Sequence, residues 1–236
     1  MVDNRYATAL VIGSVLSLMA TVYLSVAVGT QHWYQYSCPP GKREGSNATE
    51  LRYEFINGEF DEKTYIEILF RLNGTLGLWW RCILMERHCV NFTLPQQFRP
   101  KYKNLGNPNS EEDLLRTYLW RCQFLLPLVS LALVFLGGLV GVCACLCRSL
   151  TPTLGVGVLH LLAGLCTLGT VCCFLAGVDL LQQYSPPPAG VVGSLGWSLY
   201  LALISFPLQM MAAALFLWAA RSHRKNYSRM TAYRVA

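Results

Sequence analysis

Gly77-Leu78-Trp79-Trp80-Arg81-Cys82, followed after six residues by Cys89 and preceded far upstream by Trp33, decides how the rest of the chain is read. The stretch lies in a long polar segment between the first two of four apolar runs. Those runs, residues 7–29, 122–147, 150–178 and 180–220, contain no Asp, Glu, Lys or Arg, the last opening with a polar Pro-rich loop. Each exceeds the ~20 residues that a helix needs to cross the hydrocarbon core, where only helices or closed barrels satisfy their backbone. The motif therefore belongs to a folded segment held outside a bilayer by four transmembrane helices.

Composition agrees. A chain of 236 residues that is 53% hydrophobic and 14% charged, with its apolar residues in long blocks, falls in the membrane class and not among soluble domains. Arg5, Arg148 and the tail cluster Arg221, Arg224, Lys225, Arg229 and Arg234 fall on one side of the bilayer, whereas residues 179–193 hold no basic residue. Because basic residues are retained in the cytoplasm, both termini are expected there. The resulting division is a cytoplasmic N-terminus (1–6), spans at 7–29, 122–147, 153–178 and 194–220, extracellular loops at 30–121 and 179–193, a cytoplasmic loop at 148–152 and a basic cytoplasmic tail at 221–236. The net charge of +6 resides mainly on the cytoplasmic side. It suits anionic lipid headgroups, at about 1 kcal/mol per residue near the surface, and does not point to nucleic acid.

The sequons Asn47-Ala-Thr, Asn73-Gly-Thr and Asn91-Phe-Thr all fall in the segment assigned outside and mark the chain as a glycoprotein. Asn226-Tyr-Ser lies in the basic tail and is expected to stay unmodified. The first apolar run offers Ser25-Val-Ala27 as a signal-peptidase site, but its length and the weak charge of residues 1–6 favour a retained span.

Within the outer segment, Trp33 to Tyr36 alternate like a strand, residues 38–46 read as an exposed loop and residues 61–72 as a short amphipathic helix. Residues 75–84 read as one strand with Leu76, Leu78, Trp80, Cys82 and Leu84 on one face, and residues 89–94 as a second. If Cys82 and Cys89 lie opposite each other on that hairpin, their α-carbons come within disulfide reach, and an oxidising exterior favours the bond. A zinc set of Cys82, His88 and Cys89 lacks a fourth ligand. Ser110-Glu-Glu-Asp113 is a capping-box-like helix start, with Trp120 as an interfacial anchor further on and Pro127 set to kink the span. The second outer loop, with Pro186-Pro-Pro188, reads as short and stiff. Cys38 has three fates open: pairing with Cys122, remaining free, or bridging two chains.

The spans carry their own signals. Ala9, Gly13, Ser17, Thr21, Ser25 and Gly29 recur every fourth residue and form a ridge of small side chains, suited either to packing inside the bundle or to a lateral partner. Gly137 and Gly141 pose the same choice. Cys143, Cys145 and Cys147 precede Arg148 in an arrangement that suits S-palmitoylation or, equally, unmodified buried thiols. His160 has no acid within any span as a relay partner, so a neutral imidazole bonded to a neighbouring helix is expected. Pro207 and Gln209 are expected to bend the fourth helix and to bond across the bundle.

Four spans, inside termini, a large first outer loop, and Trp33 followed by Gly77-Leu78-Trp79, Cys82 and Cys89 resemble the claudin and peripheral-myelin-protein superfamily. The resemblance extends over essentially the whole chain. It implies a membrane α+β fold: a left-handed four-transmembrane-helix bundle carrying an extracellular antiparallel β-sheet, with Trp79 packed near the bundle top and Cys82 bonded to Cys89. It also implies a plasma-membrane protein of cell-cell contacts or tight junctions. Its partners would be the lipid bilayer and, in cis or trans, copies of itself or other claudin-like proteins. A second reading is an auxiliary subunit of an ion channel or receptor, docked through the small-residue ridge. The stretch between Trp33 and Gly77 is longer than in typical claudins, Asn73 and Asn91 flank the motif, and Arg-Val-Ala at the end lacks the Ser or Thr that junctional PDZ scaffolds read. Recognition is therefore expected on the long loop before the motif. A paracellular pore needs one charge sign clustered on the sheet, whereas the outer acids and bases are mixed. No metal set, activated nucleophile or phosphate loop appears, so neither an enzyme nor a cofactor is expected.

Overall fold

Among the described residues of the computed structural model, four helices are long and apolar enough to cross a membrane: Arg5–Gly29, Leu114–Cys143, Pro152–Gln183 and Trp197–Ser222. The structure describes residues 4–37, 73–85, 88–92, 110–147, 150–184, 186–187 and 189–235. The full helices are α1 (Asn4–Gly29), α2 (Ser110–Cys147), α3 (Leu150–Tyr184) and α4 (Trp197–Val235). All but α1 run well beyond the apolar runs, because a helix carries its hydrogen bonds on into polar sequence. α2 starts at Ser110, where the capping pattern stands, and passes through Pro127; α4 likewise passes through Pro207. The helix expected over 61–72, the loop around Cys38 and the sequon at Asn47 lie outside the described residues.

Among the described residues, five short strands build one antiparallel sheet: β1 (Tyr34–Ser37), β2 (Gly74–Leu76), β3 (Arg81–Met85), β4 (His88–Phe92) and β5 (Val192–Leu195), in the order β4-β3-β2-β1-β5. Two of these differ from the sequence reading. The single strand expected over 75–84 is two strands, β2 and β3, folded back on each other with Leu76 beside Arg81 and Gly74 beside Ile83. Period-two alternation does not register a turn this tight. The Gly77 N–H donates to the Trp80 carbonyl at 2.8 Å, so Leu78 and Trp79 form the tip of a hairpin. A Cβ on Gly77 would stand 2.7 Å from the Gln31 backbone, which leaves glycine as the residue that fits. The second difference is β5, which the second outer loop contributes. It pairs Val192 with Ser37 and Leu195 with Tyr34, after a turn in which Gly190 takes φ 98°. A Cβ on Gly196 would collide with the His32 carbonyl, so the chain passes from β5 into α4 directly against β1.

The chain divides into two compact units: Met1–Val26, Leu126–Gly169 and Leu201–Ala236 in one, and Ala27–Leu125 and Thr170–Tyr200 in the other. The described residues of the first are helical. Its core is Val156, Ala212 and Phe216, with Leu10, Leu16 and Val140 packed on them. Polar side chains inside it are bonded across helices: Ser205 Oγ donates to the Ala20 carbonyl at 2.8 Å, Ser130 Oγ to the Ala163 carbonyl at 2.9 Å, and Thr167 to Gln209 Oε1 at 3.0 Å. In lipid such bonds hold helices together where the hydrophobic effect gives little help. The second unit carries the sheet and is where the motif lies.

Candidate functional site

Trp33 is the fixed point of the second unit. It is fully buried, and its backbone joins both neighbours, N–H to the Leu76 carbonyl at 3.0 Å and carbonyl from the Gly196 N–H at 2.9 Å. Its indole N–H donates to the Ala27 carbonyl at 2.7 Å, and its ring lies 5.1 Å from that of Phe174. One side chain therefore ties the end of α1 to α3, while its backbone sits between β2 and the start of α4. Burying a large aromatic ring with its one polar atom satisfied is the most favourable use of such a residue.

The hairpin tip is seated on α2. Leu78 is buried, its carbonyl accepts from Gln123 Nε2 at 3.3 Å, and the Trp79 ring meets Phe124 edge-on at 5.6 Å. Beside it, Arg81 is only 1% exposed, with its guanidinium 4.3 Å above the Trp120 ring. Trp120 is thus interior, 5% exposed, and not the interfacial anchor expected of it. The reason is the cation: a desolvated guanidinium gains about 2 kcal/mol from an aromatic face, and Trp120 provides it. Sequence reading gave Arg81 no role although it stands inside the motif; nothing local marks a basic residue as buried.

Cys82 and Cys89 are disulfide-bonded, with α-carbons 5.7 Å apart. They are not directly opposite, as the sequence reading supposed. Cys82 pairs with Asn91 and Cys89 with Leu84, so the bridge runs along a diagonal, which strand twist brings within reach. With both sulfurs in a disulfide, neither is a thiolate for zinc, and the weak metal set is removed. Cys89 is exposed, and its sulfur accepts from Gln31 Nε2 at 3.1 Å.

On β1, Tyr34 and Tyr36 share one donor: Gln182 Nε2 reaches the Tyr34 hydroxyl at 3.0 Å and the Tyr36 hydroxyl at 3.4 Å. Burial pushes the Tyr36 phenol above its ordinary value; the Gln182 bond opposes this, and Tyr34 and Arg81 add smaller effects of opposite sign.

The outer surface of this unit is apolar in two places. Trp80 is 43% exposed, with Leu84 also exposed on β3, while all four residues of β5 are exposed, Val192 at 64%, next to Trp197. β5 is an edge strand of the sheet. This arrangement offers contact surface; the interior of the unit is committed to packing.

A family profile described as PMP-22/EMP/MP20/Claudin tight junction matches residues 18–218. The chain belongs to this family. In this claudin-family chain the stretch from Gly77 to Cys89 and Trp33 act as a folding device: Trp33 and the Gly77-Leu78-Trp79 turn dock the sheet, and Cys82–Cys89 staples two of its strands. The remaining candidate residues of this claudin-family chain are dispersed. Asn73, at the head of β2, is partly exposed and takes φ 72°; Asn91 lies on β4. Cys143 is exposed, and Cys145 and Cys147 belong to the last turns of α2. Along the α1 ridge, Gly13 packs against Phe216, whose ring carbon a Cβ there would meet at 3.3 Å, and Ser17 bonds His160 at 2.6 Å. Thr21 returns its hydroxyl to the Ser17 carbonyl at 2.7 Å, Ala9 is buried, and Ser25 and Gly29 are exposed. Gly137 and Gly141 face His160 and Val156, so that pair packs within the chain too.

Proposed function

We propose that this claudin-family membrane protein acts at cell-cell contacts of the plasma membrane, in adhesion or in organising a junctional barrier, without catalysing a reaction. The observation that carries this is the exposed edge strand β5 with Val192, Leu195 and Trp197 beside it, since unpaired strand edges and apolar outer residues are what one protein offers another. Partners of matching chemistry are claudin-like chains in cis or trans, the same chain included. Both termini are placed in the cytoplasm, supported by the basic tail and by the three sequons of residues 30–121. Antibody access to terminal tags before and after permeabilisation tests that placement. The long loop before the motif adds recognition surface, and glycans at Asn73 and Asn91, which flank the motif, limit strand polymerisation by crowding the sheet.

Expression in epithelial cells lacking claudins tests the function, scored by enrichment at contacts and by transepithelial resistance. Even spreading over the cell surface with unchanged resistance overturns it. Gly13 and Ser17, two of the six ridge residues on which an auxiliary channel or receptor subunit would dock, pack against Phe216 and His160 of the same chain, which favours the first reading, while Ser25 and Gly29 of the ridge are exposed. Acylation of Cys143, Cys145 and Cys147 remains a proposal for the cytoplasmic end of α2, tested by hydroxylamine-sensitive labelling before and after changing all three to Ser.

A further inference from the structure

The sequon Asn73-Gly-Thr75 runs straight into the middle of the sheet. Gly74 stands opposite Tyr36 on β1 and Ile83 on β3, and Thr75 opposite Gln35 and Cys82, so the last two residues of the tripeptide are paired on both sides. The Asn73 carbonyl accepts from the Leu84 N–H at 3.1 Å. Gly74 is buried, and the Thr75 hydroxyl is buried with no hydrogen-bond partner among the described residues. Valine would suit that strand position at least as well and would bury no hydroxyl. Packing thus gives no reason for threonine at 75, whereas glycan transfer does. The transferase accepts an asparagine only where Ser or Thr stands two residues on, so it must read the hydroxyl. In the folded sheet that hydroxyl is out of its reach, and both sides of β2 are taken by neighbouring strands.

We propose that Asn73 is a glycosylation site open only before the sheet closes, with the Cys82–Cys89 bond ending the interval. The proposal rests on the placement of residues 30–121 outside the membrane. The donor class is an oligosaccharide linked to a lipid pyrophosphate. The Asn73 amide nitrogen attacks its anomeric carbon; the C–N bond forms, the bond from that carbon to the pyrophosphate oxygen breaks, the lipid pyrophosphate leaves, and the nitrogen loses one proton. Closure of the sheet competes with this step. An isolated two-stranded hairpin is marginal in water, so β2 and β3 hold together once β1 pairs with β2 and the disulfide fixes β3 to β4. Cys82 is directly opposite Thr75, which puts the staple on a strand that flanks the sequon. Asn73 itself stays partly exposed at the head of β2, so a glycan attached early has a way out of the finished sheet.

The test is translation of the full chain into microsomes, with site occupancy read by mass spectrometry after enzymatic deglycosylation in heavy-oxygen water. Transfer is either open throughout, or blocked by an excess of acceptor tripeptide until Cys82–Cys89 has formed and then released. Open transfer is expected to modify Asn73. Late release is expected to lose that modification in the unaltered chain and to restore it in Cys89→Ser, which keeps the sequon without the staple. Equal occupancy of Asn73 under both regimes in the unaltered chain overturns the proposal, as does late modification that Cys89→Ser fails to raise. An Asn73 left bare under open transfer beside a modified Asn47 overturns it too, whereas no glycan on Asn47, Asn73 or Asn91 overturns the outside placement itself.

Discussion

Gln123 donates its side-chain N–H to the carbonyl of Leu78 at 3.3 Å, and both residues are buried. A helix side chain thereby completes the backbone of the hairpin tip at its buried residue, Leu78. Gln123→Leu removes the donor and leaves that carbonyl orphaned, at a cost of about 1–3 kcal/mol. Thermal unfolding in detergent is expected to show a lowered midpoint; an unchanged midpoint means that the bond contributes nothing.

Replacing Cys82 or Cys89 by Ser opens a short loop whose closure is worth about 2–3 kcal/mol. For so small a sheet this is enough to produce misfolding and retention inside the cell. Surface biotinylation reads the outcome, and normal delivery of both single variants refutes it.

The Arg81 and Trp120 pair is testable as a unit. Arg81→Met keeps the stem and drops the charge, and Trp120→Leu drops the aromatic face. A double-mutant cycle is expected to give a coupling of about 1–2 kcal/mol for a desolvated cation over a ring. Additive losses would mean that the stacking is incidental.

Tyr36 makes the sheet sensitive to alkaline pH. Its phenol is held above the ordinary 10.0 chiefly by burial, so above that pH the folded chain keeps a proton that the unfolded chain gives up. Stability is therefore fully present below pH 10 and lost as pH rises through the raised folded value. Tyrosinate absorbance is expected to show one late-titrating residue that Tyr36→Phe removes.

Ser17 and His160 bond across the helical unit at 2.6 Å, while His160 Nδ1 lies 2.8 Å from the Val156 carbonyl. A carbonyl only accepts, so Nδ1 carries the hydrogen and Nε2 accepts from the Ser17 hydroxyl in the neutral ring. Ser17→Ala is expected to cost about 0.6–1.5 kcal/mol. Gly13→Leu is expected to lower the chain's own thermal midpoint further, because Phe216 occupies the space. A normal midpoint with loss of a co-purifying membrane partner would instead restore the ridge as a docking face.

How much was legible follows the range of each signal. A long uncharged run is a local property, so the four apolar runs mark where the membrane helices lie, though not where they end. Trp33 and the two cysteines could be singled out because their chemistry is informative wherever they sit. The hairpin at Gly77 escaped, since its two strands continue one alternation through a tip of Leu78 and Trp79. β5 escaped for the opposite reason: Val-Gly-Ser-Leu has little strand pattern of its own, and only pairing with residues far away in sequence makes it a strand.

The motif at Gly77 to Cys89 thus states in sequence that a stapled sheet stands outside a membrane, because runs of hydropathy and cysteine chemistry need no partner to be read. Which strands that sheet contains, the diagonal of its disulfide and the burial of Arg81 over the Trp120 ring were decided by tertiary structure. Each depends on a contact between residues distant in the chain, and such a contact exists only once the packing that desolvates both partners has formed.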